Sequence, residues 1–330
     1  MAFTLKNLVW PKNRWMRISV VVVVLLVVPY AYSRVMSIWR RVQVFSINDP
    51  SPTEHDPGRL RIACYNIAHG RGLSRSNFTG ESTAVRYERL DRIGDLLREL
   101  DVDIVVLNEV DFRCLWSNSI NQAKRIAERG GFPYRVEQRS MDFRVLFWTM
   151  RYGNAILSKY PIEKAEVIDF PRYSKVESLL IGKKRGVNCT IRVGQQRIRV
   201  LGAHLSHRTE TVRVPSAEML AAITKRSEIP VVIAGDLNST PEGFPDAHYK
   251  NVFGENSIHI LDQTNSFQRT PMTPPDSEDR YTFSADNPRS VIDWIFIPRG
   301  WRLNEYKVGH SNLSDHRPVV ADVTTPRGTR

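Results

Sequence analysis

Hydrophobic residues follow three different patterns along this chain, and each predicts a different element. From Ile18 to Tyr32 the sequence reads ISVVVVVLLVVPYAY, 15 residues without a charge. A valine and leucine run of this kind has no polar face, so it does not suit a helix laid against a protein core. A bilayer span takes about 20 apolar residues, and about 17 can suffice. Trp15, Met16 and Trp39 extend the run, with Trp and Tyr suited to the interface and Arg17 able to snorkel. The second pattern is amphipathic. Within Ala84 to Leu100, Leu90, Ile93, Leu97 and Leu100 recur at three- and four-residue spacing and predict a helix. Ser119 to Arg129, closed by Gly130-Gly131, and Pro215 to Arg226 are read as two further helices. The third pattern is a series of short apolar runs: RIACYNI, DIVVLNEV, NAILS, AEVIDF, GVNCTIRV, RIRVLGAHL, VVIAGDL, VIDWIFI and PVVADVT. These predict strands, some joined by hairpin loops such as Gly194-Gln195-Gln196. They follow one another too often for a strictly alternating fold, so two packed sheets with helices on the outer faces fit best.

The apolar run separates a short basic N-terminus from the rest. Residues 1–45 hold Lys6, Lys12, Arg14, Arg17, Arg34, Arg40 and Arg41 and no acid, so +7 of the total +12 sits there. The remaining 40 basic and 35 acidic residues leave +5, a mildly basic domain compatible with a phosphate-bearing substrate but without the dense clustering of a dedicated nucleic-acid binder. A signal anchor and a cleaved signal peptide both fit about residues 15–33, the latter cutting after Ala31-Tyr32-Ser33 and giving a secreted protein. The basic residues that follow at once favour an uncleaved single-pass anchor. Four Lys/Arg precede the segment and three follow it, close to a tie that slightly favours the N-terminus inside and the main domain outside the cytoplasm. Residues 46–59, SINDPSPTEHDPGR, carry three prolines and read as a linker. A main domain over 60–325 and a tail of 326–330 complete the division. Cys64, Cys114 and Cys189 are too few and too widely spaced for a disulfide framework or metal motif, and Cys64 and Cys189 sit in strand-like runs as core residues.

Candidate chemistry gathers at strand ends. Asn66 follows IACY, Glu109 follows DIVVLN, His204 follows VLGA, Asp236 and Asn238 follow VVIAG, Asp293 lies within VIDWIF, and Asp315-His316 precede PVVADV. Singly, each has an ordinary alternative, such as a cap for Glu109 or a turn for Asp236. Asp293 is the stronger signal, since an acid in an apolar strand needs a partner to offset its burial. Together the set suits metal-assisted phosphoryl transfer. Glu109 and Asp315 are hard oxygen ligands, right for Mg²⁺ or Mn²⁺. A metal there acts as a Lewis acid on a phosphate oxygen. His316, oriented by Asp293, would take a proton from water; Asp236 and Asn238 would align that water; His204 would donate to the phosphoryl oxygens.

YNIAHG (65–70), LNEVD (107–111), YGNAILSKYPI (152–162), GAHLSHR (202–208), AGDLNSTP (234–241), YTFSADNP with IDWIFIP (281–298) and SDHRPVV (314–320) occur in this order. In that order they resemble the endonuclease/exonuclease/phosphatase superfamily over about residues 60–325. This group includes pancreatic-type deoxyribonucleases, exonuclease III-like repair enzymes, neutral sphingomyelinases and inositol-polyphosphate 5-phosphatases. The resemblance implies a four-layer α/β/β/α sandwich of two packed mixed sheets flanked by helices, and divalent-metal phosphoester hydrolysis. By that resemblance Glu109, Asp315 and Asn66 serve the metal, and Asn66 and Asn154 the substrate. Asp236 and Asn238 position or activate water, His316, partnered by Asp293, is the general base or a charge stabiliser, and His204 stabilises the phosphoryl group. Asn108 stands where many members have Gln. Ala68, in place of an Asp, argues against an abasic-site endonuclease, and PRSVIDWIF lacks the 5-phosphatase signature.

Substrate choice in such folds lies in the loops. Met141–Arg151, MDFRVLFWTMR, reads as a core strand or as an apolar rim that meets lipid or a base. Gln268–Arg280, QRTPMTPPDSEDR, is expected to shape the mouth of the site, and Arg317 to form a surface or supporting salt bridge, with pairing to a phosphate as the alternative. The leading expectation is a membrane-tethered phosphodiesterase or phosphatase acting on phospholipid head groups or small phosphodiesters, with no obligate protein partner. A nuclease on the same scaffold and an inactive membrane-anchored binding module are the alternatives.

Overall fold

The structure, a computed structural model of the 330-residue chain, describes residues 12–47, 58–145, 148–180, 182–245 and 256–326. The apolar run forms helix α1, Arg14–Trp39, capped by Asn13, whose side chain accepts the Trp15 N–H at 2.9 Å. Its 26 residues bury no side chain. At about 1.5 Å per residue α1 is roughly 39 Å long, enough to cross a hydrocarbon core of about 30 Å.

The two sheets that pattern predicts are present. A seven-stranded sheet is ordered β1-β4-β5-β3-β2-β13-β12. Its strands are β1 Val42–Ser46, β2 Arg59–Asn66, β3 Ile104–Asp111, β4 Tyr134–Val145, β5 Trp148–Ser158, β12 Arg302–Val308 and β13 Val319–Thr324. A six-stranded sheet is ordered β10-β11-β9-β8-β7-β6. It contains β6 Ile162–Asp169, β7 Arg185–Val193, β8 Gln196–His204, β9 Val231–Asp236, β10 Phe267–Gln268 and β11 Asp293–Pro298. Within each sheet one pair is parallel, β2 with β3 and β8 with β9, and the other pairs are antiparallel.

Alternation along each strand explains the layering. Ile62, Cys64, Val106, Cys189, Val200 and Ala234 face the neighbouring sheet and form the central core. Their sequence neighbours Ala63, Tyr65 and Val105 face helices α2 (Thr83–Glu99) and α3 (Gln122–Gly130), where the Leu90, Ile93, Leu97 stripe meets them. Leu201, Ala203 and Ile233 face α5 (Glu210–Lys225) and α6 (Ser257–Gln263) on the other side. A sixth helix, α4, is the short Lys175–Leu180. Strands covered on both faces read as continuous apolar runs, which is why they were legible.

Four boundaries differ from expectation. Helix α5 starts at Glu210 rather than Pro215. Thr209 caps it, and a buried Arg213–Glu210 ion pair at 2.8 Å holds the extra turn ahead of the proline. Helix α3 starts at Gln122 rather than Ser119, because Ser119 has φ 57° and Asn121 supplies the cap. Residues 42–46, assigned by sequence to the anchor and the start of the linker, instead form β1 and pair with β4 (Val42 with Gln138). The linker's residues 48–57 lie outside the described residues. Finally, Met141–Arg151 is a core strand only at its base. Met141 is buried, but further out Phe143 sits 5.9 Å from Tyr30, and the Arg144 N–H donates to Ser33 Oγ at 2.8 Å, so the hairpin leans on α1.

Candidate active site

Strand direction brings the polar strand ends together. The parallel pairs align Asn66 with Asn108 and His204 with Asp236, so four carboxyl ends share one edge. Antiparallel β11 starts at that edge, with Asp293 opposite Asp236. Antiparallel β13 pairs with β2 and is entered through Asp315-His316 at the same place. The result is a cavity of about 310 Å³ with Glu109, His204, Asp236, Asn238, Asp315 and His316 in its wall. Four of the residues here have left-handed backbone: Ala68 (φ 48°), His69 (53°), Glu109 (51°) and Asn238 (50°). Such conformations cost about 1–3 kcal/mol each, and here they aim Glu109 and Asn238 at the cavity.

Asp236 and His316 form its buried side. The Asn66 Nδ2 donates to Asp236 Oδ2 at 3.0 Å, and the Asn238 N–H donates to Oδ1 at 2.9 Å. His316 Nδ1 lies 2.8 Å from Asp293 Oδ2, while its Nε2 points to within 3.8 Å of Asp236 Oδ2. Phe283 covers the imidazole at 4.8 Å between ring centroids. Burial, with Asp293 nearby, lifts the Asp236 carboxyl well above the usual range against the pull of His316. Burial alone would lower His316, but Asp293 and Asp236 outweigh it and hold the ring as an imidazolium well above neutral pH.

Beyond Glu109 and His204, in a neighbouring cavity that shares them, Lys184 and His69 add cationic and imidazole lining. Lys184 Nζ sits 3.0 Å from His204 Nε2. Burial and this ammonium keep His204 neutral, far below the ordinary imidazole value. His69 Nδ1 meets Asp111 Oδ1 at 2.7 Å, and the Trp116 indole N–H donates to the other oxygen at 2.8 Å. His69 Nε2 then lies 3.5 Å from Glu109 Oε2. Burial would raise the Glu109 carboxyl, but the nearby His69, Lys184 and Arg71 outweigh it, and Glu109 is held as a carboxylate. Arg71 spans the cavity mouth, donating to Asp315 Oδ2 at 2.7 Å and to Glu109 Oε2 at 3.4 Å.

Two donor sets bear on a metal. One atom each from Asp236, Asp293 and His316 lie within 4.8 Å of one another. That trio is largely satisfied internally, with Asp293 Oδ1 the oxygen left without a protein donor. Glu109 and Asp315 are each about a quarter exposed at 25% and 23%, and offer carboxylate oxygens of the kind Mg²⁺ prefers. By donor type the oxygen-only pair suits a divalent cation, which would compete with Arg71 for both carboxylates.

Two expected site residues, Asn66 and Asn154, do not line this cavity, although Asn154 lines the adjoining one. Asn66 spends its amide on Asp236 and on the Ala68 N–H. Asn154 gives both N–H groups to Gln138 Oε1 and the Arg185 carbonyl, and accepts from Asn108 Nδ2 at 2.9 Å. Asn108 in turn accepts the Asp236 N–H at 2.9 Å, so its shorter amide acts on the frame. Gln268–Arg280 contributes no wall to the cavity; Phe283, Ser290 and Ile292 of the following segment do. Arg317 makes no salt bridge among the described residues. It donates to the carbonyls of Glu278 and Ala285 and ties that segment down. Sequence reading missed His69, Asp111, Arg71 and Lys184. The first two lie inside the YNIAHG and LNEVD motifs, which was signal enough; Arg71 and Lys184 lie in polar stretches that carry none.

The sequence profile of the Endonuclease/Exonuclease/phosphatase family matches residues 63–316. The chain belongs to this family. Members are phosphoester hydrolases, and this chain is one. No curated protein matches it significantly. Solved structures of the family share the fold. A Beutenbergia cavernae endonuclease/exonuclease/phosphatase is 21% identical over 81% of this chain and 72% of its own, with a TM-score of 0.57. A Bacteroides thetaiotaomicron mannosyl-6-phosphatase is 16% identical over 80% and 99%, at 0.56. The human nocturnin catalytic domain, with a bound sulfate anion, is 15% identical over 87% and 98%, at 0.55.

Proposed function

We propose that this family member is a membrane-tethered, divalent-metal-dependent phosphoester hydrolase. The observation that carries the reading is the convergence of Glu109, His204, Asp236, Asn238, Asp315 and His316 on one cavity. Glu109 and Asp315 would hold Mg²⁺ or Mn²⁺, which when bound supplies Lewis-acid neutralisation of phosphoryl charge. Asp236, aligned by Asn66 and the Asn238 N–H, holds the attacking water and takes its proton at a carboxylate oxygen. Its raised affinity for a proton suits that task near neutral pH. His316, kept protonated by Asp293, faces the same space as a cation. His204 accepts from Lys184 through Nε2, so the ammonium, rather than the imidazole, presents positive charge to phosphoryl oxygens there. Asn154 and Asn108 keep the frame in register. Helix α1 would cross the bilayer as a single uncleaved span, and the four Lys/Arg before it, against three after it, support a catalytic domain outside the cytoplasm.

The full chain in detergent is expected to hydrolyse bis(p-nitrophenyl) phosphate with Mg²⁺ or Mn²⁺ and to stop with EDTA. His316→Ala and Asp236→Ala should each lower kcat by about 10²–10⁴. Full rate in Glu109→Ala, or no turnover with either metal, sinks the reading.

A further inference from the structure

Between α1 and the catalytic domain runs a groove that hydrolysis as described does not use. Arg34, Arg41, Arg139, Lys183 and Arg185 line it. Among its lining residues the carboxylate is Asp142, already engaged by Arg139 at 2.7 Å and Arg151 at 2.8 Å. The neighbouring acids are also paired. Asp169 meets Arg185 at 2.7 Å and Arg41 at 3.6 Å, and Glu137 lies 3.9 Å from Arg139. Glu177, in the adjoining cavity, meets Arg208 at 3.1 Å. Among the described residues, no carboxylate comes within ion-pair distance of Arg34 or Lys183. Arg34 Nη1 rests instead on Met141 Sδ at 3.6 Å.

The groove shares Ser140, Ser178, Gly182, Lys183 and Arg185 with a second cavity of about 350 Å³. That cavity shares Glu109, His204 and His207 with the catalytic one. Common walls thus join α1 to the reacting centre. Depth adds a second constraint. The charge-free run ends at Tyr32, and Arg34 is two residues beyond, flanked by Tyr30, Tyr32 and Trp39. Aromatic and basic residues in this arrangement settle at the headgroup level of a bilayer. A cationic groove with an anchor residue in its wall therefore opens where lipid phosphates lie.

We propose that the groove binds the headgroup of an anionic membrane phospholipid and passes it to the catalytic centre, so that the substrate is a bilayer lipid. Its acyl chains would stay beside the exposed valine and leucine side chains of α1. This substrate class rests on the hydrolase reading above. A soluble ester would reach the catalytic cavity from solvent and have no use for Arg34.

The test uses the full chain reconstituted in phosphatidylcholine vesicles containing phosphatidylglycerol, phosphatidic acid or a phosphatidylinositol phosphate. Lipid cleavage is read by phosphorus NMR, with bis(p-nitrophenyl) phosphate as the soluble comparison in the same vesicles. At least one anionic lipid should be cleaved. The double variant Arg34→Gln/Lys183→Gln should lose lipid turnover about 25-fold relative to the soluble diester, each cation near an anionic surface contributing about a factor of five. Arg34→Lys should keep the lipid rate. Equal effects on both substrates, or cleavage of the diester or of added DNA with no lipid cleaved, overturns the groove while leaving the hydrolase intact. Turnover of nothing in the presence of metal sinks the hydrolase reading, and the lipid substrate with it.

Discussion

Lys184 and His204 show how a single contact redistributes roles. An imidazole at the end of an apolar strand reads as a donor to phosphate, yet its Nε2 meets an ammonium at 3.0 Å. Burial first, and then Lys184, push His204 far below the ordinary value of 6.5. Lys184 is itself lowered by burial, with Glu109 and Asp236 opposing the shift. Removing the cation should let His204 take a proton more readily. Lys184→Met is therefore expected to move the His204 titration upward, as followed by NMR of its ring protons in metal-free protein. An unchanged or lower value would mean that burial alone sets the imidazole.

At the scale of elements, three strands are locked together by one carboxylate. Asp322 on β13 accepts from Arg59 and Arg61 on β2 and from Asn304 Nδ2 on β12, at 2.5, 2.9 and 3.0 Å for the closest contacts. The hydrogen bond from Arg59, with Asn304 and Arg61 adding to it, holds this carboxyl well below its ordinary value of 3.8. A carboxyl depressed in the folded state contributes its full stability above the unfolded value and loses it as pH falls through the folded one. Asp322→Asn should cost about 2 kcal/mol near neutral pH, the scale of charge-assisted hydrogen bonds lost from a buried acceptor. The gap to wild type in urea denaturation should narrow below about pH 4. A constant gap down to strong acid would show that the loss comes from packing instead.

For the whole molecule, the decisive feature is that the chain following apolar helix α1 is part of the domain. The Arg41 carbonyl accepts the Arg139 N–H at 2.8 Å, the Arg41 guanidinium meets Asp169 at 3.6 Å, and β1 extends the seven-stranded sheet beyond β4. A chain beginning at Arg40 should leave the membrane fraction and keep its fold. One beginning at Ile47 uncovers the β4 edge and should melt about 5 °C lower, with a greater tendency to aggregate. Equal melting temperatures for the two would make β1 dispensable.

The layers, the apolar span and the polar strand ends were legible because each is local. Strands buried on both faces print continuous apolar runs, α2 prints its stripe, and an acid inside VIDWIF stands out against its neighbours. The family resemblance rested on those same stretches and held. What only the tertiary structure decided lies in pairings between distant residues. Asn66 reaches Asp236 across 170 positions, and Arg71 reaches Asp315 across 244. Such contacts follow from strand order and register, which no short window of sequence contains. For the same reason the hydrogen bonds of Asn154 to Gln138, Asn108 and the Arg185 carbonyl, the place of Gln268–Arg280 away from the cavity, and the bonds of Arg317 to carbonyls were not legible. Sequence determined which reaction the strand ends can perform. The packing of α1 and the β4–β5 hairpin against the domain decided what lies between that reaction and the apolar helix.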